Sequence, residues 1–447
     1  MYVEAPPFDS SVFDADIPLE RMMAAMKLPA DPRTRSAYLH WDKVRRLDPP
    51  DGLSAKEWWW AIKLRRNGNV RELPLSDSDG NRFTYGLPDI VLKGLRLVDQ
   101  RCSGEVAMED VITSERGARQ RYLVNSLMEE AIRSSQLEGA TTSRRVAKEL
   151  LRSGRPPKDR SERMIVNNFR AIQFMRNEIG ERLTPASVLE LHRIVTDGTL
   201  DDPDAAGRLQ RPGEERVAVF DRDDGRPIHR PPPAEQLPDR LQALCDFANE
   251  GEDGELFIHP VIRAILLHFW LAYDHPFEDG NGRTARILFF WSMKESGYWL
   301  VEYLPISKIL RGAPAQYARA FLETETDGGD TTYFLVHQLA VIARAIEDLH
   351  RYLRRKTAEI KEVETLMRGS DGYNHRQLSL LSDALRHADR AYTLGGHAET
   401  HRVTHETARA DLSRLAKRGL MVRRKVGREY VFEPAPDLPQ RLKESPA

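Results

Sequence analysis

The stretch that decides the fold is HPFEDGNGRTAR, which runs from His275 to Arg286. It places an imidazole, two carboxylates, two glycines and two guanidinium groups within twelve residues. The sequence on either side is mostly apolar, over residues 260–273 and 287–293, and neither flank alternates with the two-residue period of a strand. This pattern predicts two buried helices joined by a polar loop. Because such a loop is costly unless its groups have partners, we expect a ligand to bind there.

The residue types of the loop indicate an anionic ligand. Gly280 and Gly282 allow a tight turn and bring backbone N–H groups close to a ligand, at the start of a helix whose dipole favours an anion. Arg283 adds a bidentate donor for phosphate oxygens, and Arg286 follows one turn later on the same helix face.

Three further side chains suit the chemistry of phosphate transfer. Asp279 and Glu278 offer hard oxygen ligands for a magnesium ion that bridges phosphates. His275 has an ordinary pKa near neutrality, which suits it to accept a proton from an attacking hydroxyl. The loop is therefore predicted to hold a nucleotide polyphosphate, one metal ion and one general base.

Three other interpretations of the loop are weaker. The glycine pattern from Gly280 to Ala285 matches a loose dinucleotide fingerprint, which needs a preceding strand, whereas the run before it is too long and uniformly apolar. His259, His268 and His275 could ligate a metal, but no cysteine or second compact histidine pair completes such a site. A purely structural turn does not require two arginines and an imidazole.

HPFEDGNGRTAR resembles the core motif of the Fic family, HPFxxGNGRxxR with Asp or Glu before the first glycine, and it departs from that motif nowhere. Members of the family transfer AMP from ATP to hydroxyl side chains of proteins. The resemblance implies a mostly α-helical, Fic-type core with a short β-hairpin flap, with ATP as substrate and Mg²⁺ as cofactor. It implies these roles: His275 as the base, Asp279 as the magnesium ligand, Asn281 as a contact to the α-phosphate, Gly280 and Gly282 as the anion hole, Arg283 on phosphate oxygens, Arg286 on the distal phosphate, and Phe277 as an anchor of the loop.

Residues 115–138 are predicted to form a helix that ends at Gly139. Ala131, Ser134 and Glu138 share one face of it. A glutamate in the last turn opposes the helix dipole, so a nearby arginine would resolve the conflict. The segment SSQLEG, which ends at Gly139, also fits the inhibitory motif (S/T)xxxE(G/N) of the Fic family, and its position before the core resembles the class with an N-terminal inhibitory helix. The alternative is a solvated acid at a helix end.

Residues 216–230 interrupt an otherwise helical pattern. Val217 and Val219 on one arm and Ile228 on the other flank Asp224-Gly225, which predicts a β-hairpin. Fic proteins carry a flap at the corresponding place, and its edge strand would pair with a segment of the target protein. A surface hairpin without a function is the alternative.

The remaining pattern from Ser161 to about residue 365 is helical. One helix is predicted to open at Ser161, and another to be capped by Thr184 with a proline in its first turn. His192 lies within that second helix and is not expected to be a ligand. A long helix, either continuous or broken, is predicted from Thr331 to about Met367.

The N-terminal part of the chain is less informative. Residues 1–36 are expected to be loosely ordered, and the tryptophans at Trp41 and Trp58–Trp60 indicate a small packed core. Residues 38–104 also resemble the N-terminal region of one group of larger Fic proteins.

Residues 371–434 are predicted to form a separate unit. Helices at 377–387 and 404–417 precede a basic hairpin, an order that resembles a winged helix-turn-helix domain. The hairpin carries four candidate DNA contacts, Arg423, Arg424, Lys425 and Arg428, within a segment rich in basic residues. A domain that docks a protein partner instead is the alternative, since fold does not settle function.

Composition adds few constraints. The net charge of −1 gives no global field toward nucleic acid or membrane. Cys102 and Cys245 form no disulfide framework, which suits a reducing cytosol. The first residues lack the pattern of a signal peptide, and the longest apolar run, 264–273, is too short to span a bilayer. We therefore expect a soluble, cytoplasmic protein with no membrane association.

Four domains are predicted: an N-terminal accessory region (1–104), an inhibitory helix segment (105–155), a Fic catalytic domain (156–368) and a winged-helix domain (369–447). The function predicted is AMP transfer from ATP to a Ser, Thr or Tyr hydroxyl of a target protein, and of the chain itself, with autoinhibition by Glu138. The alternatives are an ATP-sensing, DNA-binding transcription regulator, or a Fic enzyme that moves another phosphate-containing group or removes AMP. The partners expected are ATP, the target protein and duplex DNA, with a homodimer left open.

Overall fold

The structure is a computed structural model, and it describes most of the chain. The described residues are 3–8, 16–50, 52–68, 70–103, 116–216, 219–220, 227–229, 231–251, 257–368, 372–387, 390–426 and 429–444.

The chain is mostly helical, as predicted. The α-helices of the described residues are α1 (Leu19–Lys27), α2 (Pro32–Ala37), α3 (Trp41–Val44), α4 (Ala55–Asn67), α5 (Asp89–Val98), α6 (Arg116–Leu137), α7 (Arg144–Ser153), α8 (Arg160–Asn177), α9 (Pro185–Thr196), α10 (Leu237–Asn249), α11 (Pro260–Asp274), α12 (Asn281–Glu295), α13 (Ile306–Gly312), α14 (Pro314–Thr326), α15 (Thr332–Arg368), α16 (His375–Arg386), α17 (Leu394–His401), α18 (His405–Lys417) and α19 (Leu438–Glu444).

Within the described residues the strands are short and form three small antiparallel sheets. They are β1 (Val70–Ser76), β2 (Arg82–Gly86), β3 (Val219–Phe220), β4 (Pro227–His229), β5 (Tyr392–Thr393), β6 (Met421–Val426) and β7 (Glu429–Pro434). β1 pairs with β2, β3 pairs with β4, and the third sheet has the order β5-β7-β6.

The chain divides into two compact units. The first unit consists of residues 1–104 and 126–346, and the second consists of residues 105–125 and 347–447. None of the helices in the described part of the chain combines the length and the apolar character that a membrane crossing needs.

The centre of the first unit is the helix pair α11 and α12, which confirms the two buried helices predicted around the loop. α11 is buried along nearly its whole length, with Pro260 in its first turn as predicted. α12 begins at Asn281, six residues before its apolar flank at residue 287, because Gly280 in the left-handed conformation (φ 86°) precedes it as N-cap. The polar loop is therefore confined to residues 275–280.

Other helix boundaries also follow local signals. Thr184 caps α9 as predicted, and its hydroxyl accepts the Ser187 N–H at 3.1 Å. α8 begins earlier than predicted: Asp159, and not Ser161, is its N-cap and accepts the Glu162 N–H at 2.8 Å. The long helix predicted from Thr331 is unbroken.

The expectation that residues 1–36 are loosely ordered was wrong for two segments. The N-terminus of α2 is capped, because the Asp31 side chain accepts the Arg33 N–H and Pro32 occupies the first helical position. α1 is held by tertiary packing, with its buried Ala25 in one apolar cluster with Trp60 of α4. The tryptophans of α4 are buried, as predicted.

The hairpin predicted between residues 216 and 230 is confirmed in part. β3 and β4 pair antiparallel, with Val219 opposite His229. Val217 and the turn at residues 224–225 lie outside the described residues.

The C-terminal part of the second unit contains the predicted helices as α16 and α18, followed by the hairpin of β6 and β7. The sequence did not predict β5, α17 or α19. Leu381, Leu412, Leu415 and Phe432 form the centre of an apolar cluster that joins α16, α18 and the sheet. The element order is helix, strand, helix, helix and a two-stranded hairpin.

Candidate active site

His275 lies at the point where α11 ends and the loop begins. Its N–H donates to the Leu271 carbonyl at 3.1 Å, and its backbone adopts the left-handed conformation (φ 45°, ψ 53°). A histidine in this region costs conformational energy, and such strain concentrates at functional sites. The His275 side chain is half-buried.

The surroundings of His275 favour its neutral form. Burial, and to a smaller extent the neighbouring His229, lower the pKa of His275 to about 4, although the Ala272 carbonyl and Glu138 act in the opposite direction. Nδ1 lies 3.4 Å from the Ala272 carbonyl oxygen. When Nδ1 carries the hydrogen and donates a hydrogen bond to this oxygen, Nε2 is unprotonated. This is the form that a general base needs.

The loop is held in shape by its own amide side chain. Asn281 is buried; its Oδ1 accepts the Phe277 N–H at 3.0 Å, and its Nδ2 donates to the Phe277 carbonyl at 2.8 Å. Phe277 is fully buried and stacks on His192, with ring centroids 3.8 Å apart. Asn281 was predicted to contact a phosphate. In this structure its side-chain oxygen and nitrogen are instead hydrogen-bonded to the loop backbone.

His192, which was not expected to be a ligand, shapes the loop from α9. Its Nε2 lies 2.8 Å from the Asp279 carbonyl oxygen, and its Nδ1 accepts the Gly207 N–H at 3.1 Å. Burial lowers the pKa of His192 to about 4, so the ring is neutral and carries the tautomer with hydrogen on Nε2.

The two glycines are required by close approaches. Gly280 has φ 86°, and a Cβ there would lie 2.8 Å from Thr196 Cγ2. A Cβ at Gly282 would collide with the Glu138 carboxylate and lie 3.0 Å from Arg286 Nη1. The N-terminus of α12 therefore faces the carboxylate, at the place where the sequence predicts phosphates.

Asp279 lies at the mouth of the site, with its side chain 40% exposed. Its carboxylate accepts the Gly280 N–H at 2.6 Å and an Arg283 Nη2–H at 3.1 Å, and Arg160 Nη2 lies 3.9 Å away. Arg283 is fully buried and also donates to the Val195 carbonyl at 3.2 Å. Arg283 therefore supports Asp279 from beneath and presents no exposed donor to a ligand.

The donor set fits a magnesium ion of the kind that the resemblance implies. One exposed carboxylate, held by a backbone N–H and an arginine, suits Mg²⁺, which takes its other ligands from water and phosphates. The described residues contain no cluster of three or more His, Cys, Asp or Glu side chains that would hold a metal ion alone. Burial together with Asp202 raises the pKa of the Glu278 carboxyl.

Arg286, in the second turn of α12, connects this helix to α6. Its Nε donates to Ser134 Oγ at 2.9 Å, and its Nη2 donates to Glu138 Oε1 at 2.7 Å and to the Ser134 carbonyl at 3.2 Å. Burial opposes the charge of Arg286, but Glu138, together with Tyr317 and Glu130, outweighs it and holds the pKa of Arg286 above its ordinary value. Arg286 is therefore the arginine that was expected near Glu138 at the end of α6. Gly139 (φ 102°) ends the segment as predicted.

Two buried guanidinium nitrogens of the site have no hydrogen-bond partner within the described part of the chain: Arg286 Nη1 and Arg283 Nε. Unsatisfied buried donors of charged groups are costly. Arg283 Nε has no exposed position, so Arg286 Nη1 is the donor whose missing acceptor a ligand could supply. Arg286 Nη1 lies directly above Gly282, so an anion at the start of α12 would reach it.

Residues 182–293, which include the whole loop, match the model of the Fic/DOC family. The chain contains a Fic domain. Among curated proteins, protein adenylyltransferase fic-1 of Caenorhabditis elegans is 31% identical over 169 residues, which is 36% of this chain and 30% of that protein. Protein adenylyltransferase Fic of Nematostella vectensis is 36% identical over 118 residues, which is 26% of this chain and 24% of its own length. The chain thus spans less than a third of these relatives.

A solved structure is similar over more of the chain. A Fic family protein from Desulfovibrio desulfuricans G20 aligns with 80% of this chain and 98% of its own, with a TM-score of 0.52 and 17% sequence identity. This likeness concerns the fold alone.

Two residues that position the Fic loop were not predicted from the sequence. Arg216 donates from Nη2 to the carbonyls of Asp274 (2.7 Å) and His275 (3.2 Å). His229, on β4, lies between Glu325 Oε2 (2.8 Å from Nδ1) and the Tyr273 carbonyl (2.6 Å from Nε2). Both residues contact backbone carbonyls at the end of α11, although they lie outside the motif. No local sequence pattern predicts these contacts.

The predicted basic hairpin of the second unit is a separate candidate surface. The Arg423 guanidinium lies 4.6 Å from the centroid of the Tyr430 ring, and Arg424 Nε lies 3.2 Å from Glu433 Oε2. Lys425 is exposed, and Arg428 lies outside the described residues.

Proposed function

We propose that the chain is a protein adenylyltransferase. It transfers AMP from ATP to a Ser, Thr or Tyr hydroxyl of a target protein and of itself, and Glu138 restrains it. The observation that carries this proposal is the position of His275, whose pKa burial lowers, six residues before the start of α12 at Asn281, together with the buried Arg286 of that helix, whose Nη1 lacks an acceptor. A base next to an anion site is the pair of groups that this transfer needs. The names of the curated relatives, protein adenylyltransferases, support the same reaction.

The phosphates of ATP would lie at the start of α12. The backbone N–H groups in the first turn of α12, at residues 281–283, would bind them there, and Arg286 would hold the distal phosphate once Glu138 releases it. Magnesium on Asp279 would neutralise part of the phosphate charge. Arg283 would act through Asp279, which it holds in place, because its own side chain is fully buried.

His275 would serve as the general base. Nε2 would accept the proton of the target hydroxyl while the oxygen of that hydroxyl attacks the α-phosphorus. A new P–O bond forms, the bond from the α-phosphorus to the bridging oxygen breaks, and pyrophosphate leaves. The β3–β4 hairpin would present the target by pairing its edge strand, at Val219, with an extended segment. The prediction that Val217 takes part concerns a residue outside the described part of the chain. Positioning and electrostatics would supply most of the rate enhancement.

Glu138 would restrain the reaction through its contact with Arg286. Hydrogen bonds to charged groups contribute about 1.5–3 kcal/mol, so the 2.7 Å pair competes effectively for the guanidinium. The carboxylate also lies above Gly282, where it would repel a phosphate. ATP could then bind only with its α-phosphorus turned away from the attacking hydroxyl.

The position of the retained label tests the reaction. We expect protein incubated with α-labelled ATP to retain label and protein incubated with γ-labelled ATP to retain none. Retention of γ label would indicate a kinase, and release of label from a pre-modified target would indicate AMP removal. Retention of neither label by any variant would contradict the proposal.

A second candidate function concerns the second unit. We propose that its C-terminal part is a winged helix that binds duplex DNA, in which case the chain could act as an ATP-sensing transcription regulator. The element order of α16 to β7 and the exposed Lys425 beside Arg423 and Arg424 support it. The presence of His275 favours the enzyme over a sensor, because a sensor needs no base. Binding to a duplex at low salt tests this candidate.

A further inference from the structure

A cavity of about 640 Å³ lies in the N-terminal part of the first unit. None of the catalytic-loop residues 275–286 lines it. Its walls come from α2, α4, β1 and the start of α5, and its polar lining residues are Thr34, Tyr38, Arg65, Arg66, Arg71 and Asp89. The volume falls within the range of about 300–1,000 Å³ that is typical of small-molecule sites.

The charged groups of this cavity are mainly cationic, since three arginines line it against a single carboxylate, that of Asp89. Arg65 donates to the backbone carbonyl of Leu28, and Arg71 donates to that of Phe257 at 3.0 Å. Neither of these arginines forms an ion pair with a carboxylate of the described chain. Their charges are therefore available to an anion that enters the cavity.

Arg66 lines the cavity and is held in place by contacts on several sides. Its guanidinium lies 3.8 Å from the centroid of the Tyr38 ring and donates to Tyr333 Oη at 2.9 Å and to the Leu39 carbonyl at 3.0 Å. Tyr38 itself has the left-handed backbone (φ 47°) that only surrounding structure can enforce, and its hydroxyl donates to Asp330 Oδ2 at 2.6 Å.

The acids near Arg66 are already engaged. Asp330 accepts the Tyr38 hydroxyl, and Asp327 pairs with Lys63 at 3.0 Å and accepts the Tyr333 hydroxyl at 2.7 Å. They contribute to the field at Arg66, but their oxygens do not reach into the lining of the cavity. The guanidinium of Arg66 thus adds positive charge to a preformed surface.

The rest of the lining is apolar and adjoins a helix start. Ile62, Val70, Leu87 and Pro88 face the cavity. α5 begins at its wall, and the N-cap, Pro88, has no side chain that could cap the first N–H groups. The dipole of a ten-residue helix adds to the preference of the arginines for negative charge.

We propose that this cavity binds a small amphipathic organic anion, a molecule with one carboxylate or phosphate group on an apolar body. The anionic group would lie against Arg65 and Arg71, and the body against Ile62 and Leu87. A purely apolar ligand would leave the positive charges of Arg65 and Arg71 without a counter-charge, and a cation would be repelled by them. This site is independent of AMP transfer.

Calorimetric titration of the full chain with octanoate and with octyl phosphate tests the site. We expect one binding event for at least one of the two probes, and the stronger binder identifies the preferred head group. Octanol and octylammonium, which keep the apolar body, should bind at least roughly tenfold more weakly, since a hydrogen bond to a charged group is worth about 1.5–3 kcal/mol. Octanol that binds as tightly as octanoate, or the absence of heat with both anions, would overturn the assignment.

Variants locate the binding event in the cavity. Arg71→Gln and the double variant Arg65→Gln with Arg71→Gln should weaken the anionic probe by roughly tenfold or more. Arg82→Gln is the matched control, because Arg82 is on the same hairpin and donates to a backbone carbonyl but does not line the cavity. Leu87→Trp keeps every charge and fills the space, so it should abolish binding. Unchanged affinity in both Arg71→Gln and Leu87→Trp would exclude this site.

Discussion

In the proposed reaction, the tasks of holding ATP and of accepting a proton fall on different side chains of the 275–286 segment. His275 offers a neutral Nε2, whereas the phosphates would meet backbone N–H groups and Arg286. We therefore expect His275→Ala to abolish AMP transfer and to leave the affinity for ATP nearly unchanged. Calorimetric ATP titration and label incorporation, measured on the same preparation, check this.

His405→Ala is the control for the loss of a histidine, because His405 is exposed on the second unit. Equal transfer rates in His275→Ala and the parent, at matched ATP affinity, would remove His275 from the role of base.

His229 gives the fold a predictable pH dependence. Burial alone would lower the pKa of His229, but Glu325 and the Tyr273 carbonyl outweigh it and hold that pKa above its ordinary value, with Asp274 acting in the same direction. A raised folded pKa stabilises the protein fully below the unfolded value of about 6.5, and this contribution is lost as the pH rises through the folded value. The cation also helps to keep His275 neutral.

We expect His229→Asn to lower the free energy of unfolding at pH 6 by about 1.5–3 kcal/mol, the range for hydrogen bonds to charged groups. The difference from the parent should shrink as the pH rises above the folded pKa. Urea unfolding at a series of pH values measures it, and Glu325→Gln should reproduce the same loss of pH dependence. A difference that is constant with pH would show that His229 is neutral in the folded protein.

Residues that act across long stretches of chain could not be read from the sequence. The motif itself predicted His275, Asp279 and Arg286, because spacing on a loop and a helix is local. Arg216 reaches carbonyls 58 and 59 residues away, and His229 reaches Glu325 96 residues away. No periodicity or cap signals such contacts.

At the scale of elements, the loop between α11 and α12 depends on Asn281. Its amide joins both backbone groups of Phe277 in a buried place. We expect Asn281→Ala to lower the free energy of unfolding by roughly 2–4 kcal/mol, because it leaves a buried N–H and a buried carbonyl unsatisfied. Chemical denaturation measures this directly.

Asn177→Ala is the matched control, because Asn177 is exposed at the end of α8. If Asn281→Ala is as stable as the parent and only the KM for ATP changes, Asn281 is a phosphate contact without a structural role.

Helix boundaries show what local sequence decides. Thr184 and Gly139 marked ends that the structure contains. The start of α8 was misplaced by preferring Ser161 to Asp159, although Asp159 has the three-residue spacing to Glu162 that a capping residue needs. α1 was missed because its stability comes from packing against α4, which the segment alone does not reveal.

At the scale of the whole molecule, the DNA-binding candidate makes a distinct prediction. Arg423→Ala with Arg424→Ala should weaken binding to all duplex sequences alike and reduce the slope of log affinity against log salt by about 2, at roughly 0.9 per phosphate. Arg424 already pairs with Glu433, so a reduction nearer to 1 would mean that this pair persists on DNA. Fluorescence anisotropy at several salt concentrations provides the slope.

Arg182→Ala with Arg211→Ala removes the same charge from exposed positions of the first unit and should leave the slope unchanged. The absence of any association with duplex at low salt would leave the protein-docking interpretation of the second unit.

The central claim is that one ion pair, between Glu138 and Arg286, restrains AMP transfer, and it is tested by the incorporation of α label into protein. We predict that Glu138→Gly raises incorporation, self-modification included, by well over tenfold, since about 1.4 kcal/mol suffices for each factor of ten. Adding Arg286→Ala should cancel the gain, because the released arginine is the group that orients ATP. Glu178→Gly, which removes an exposed acid from the end of α8, should change nothing. If Glu138→Gly is no more active than the parent on any accepted substrate, the pair seen at 2.7 Å does not control the enzyme.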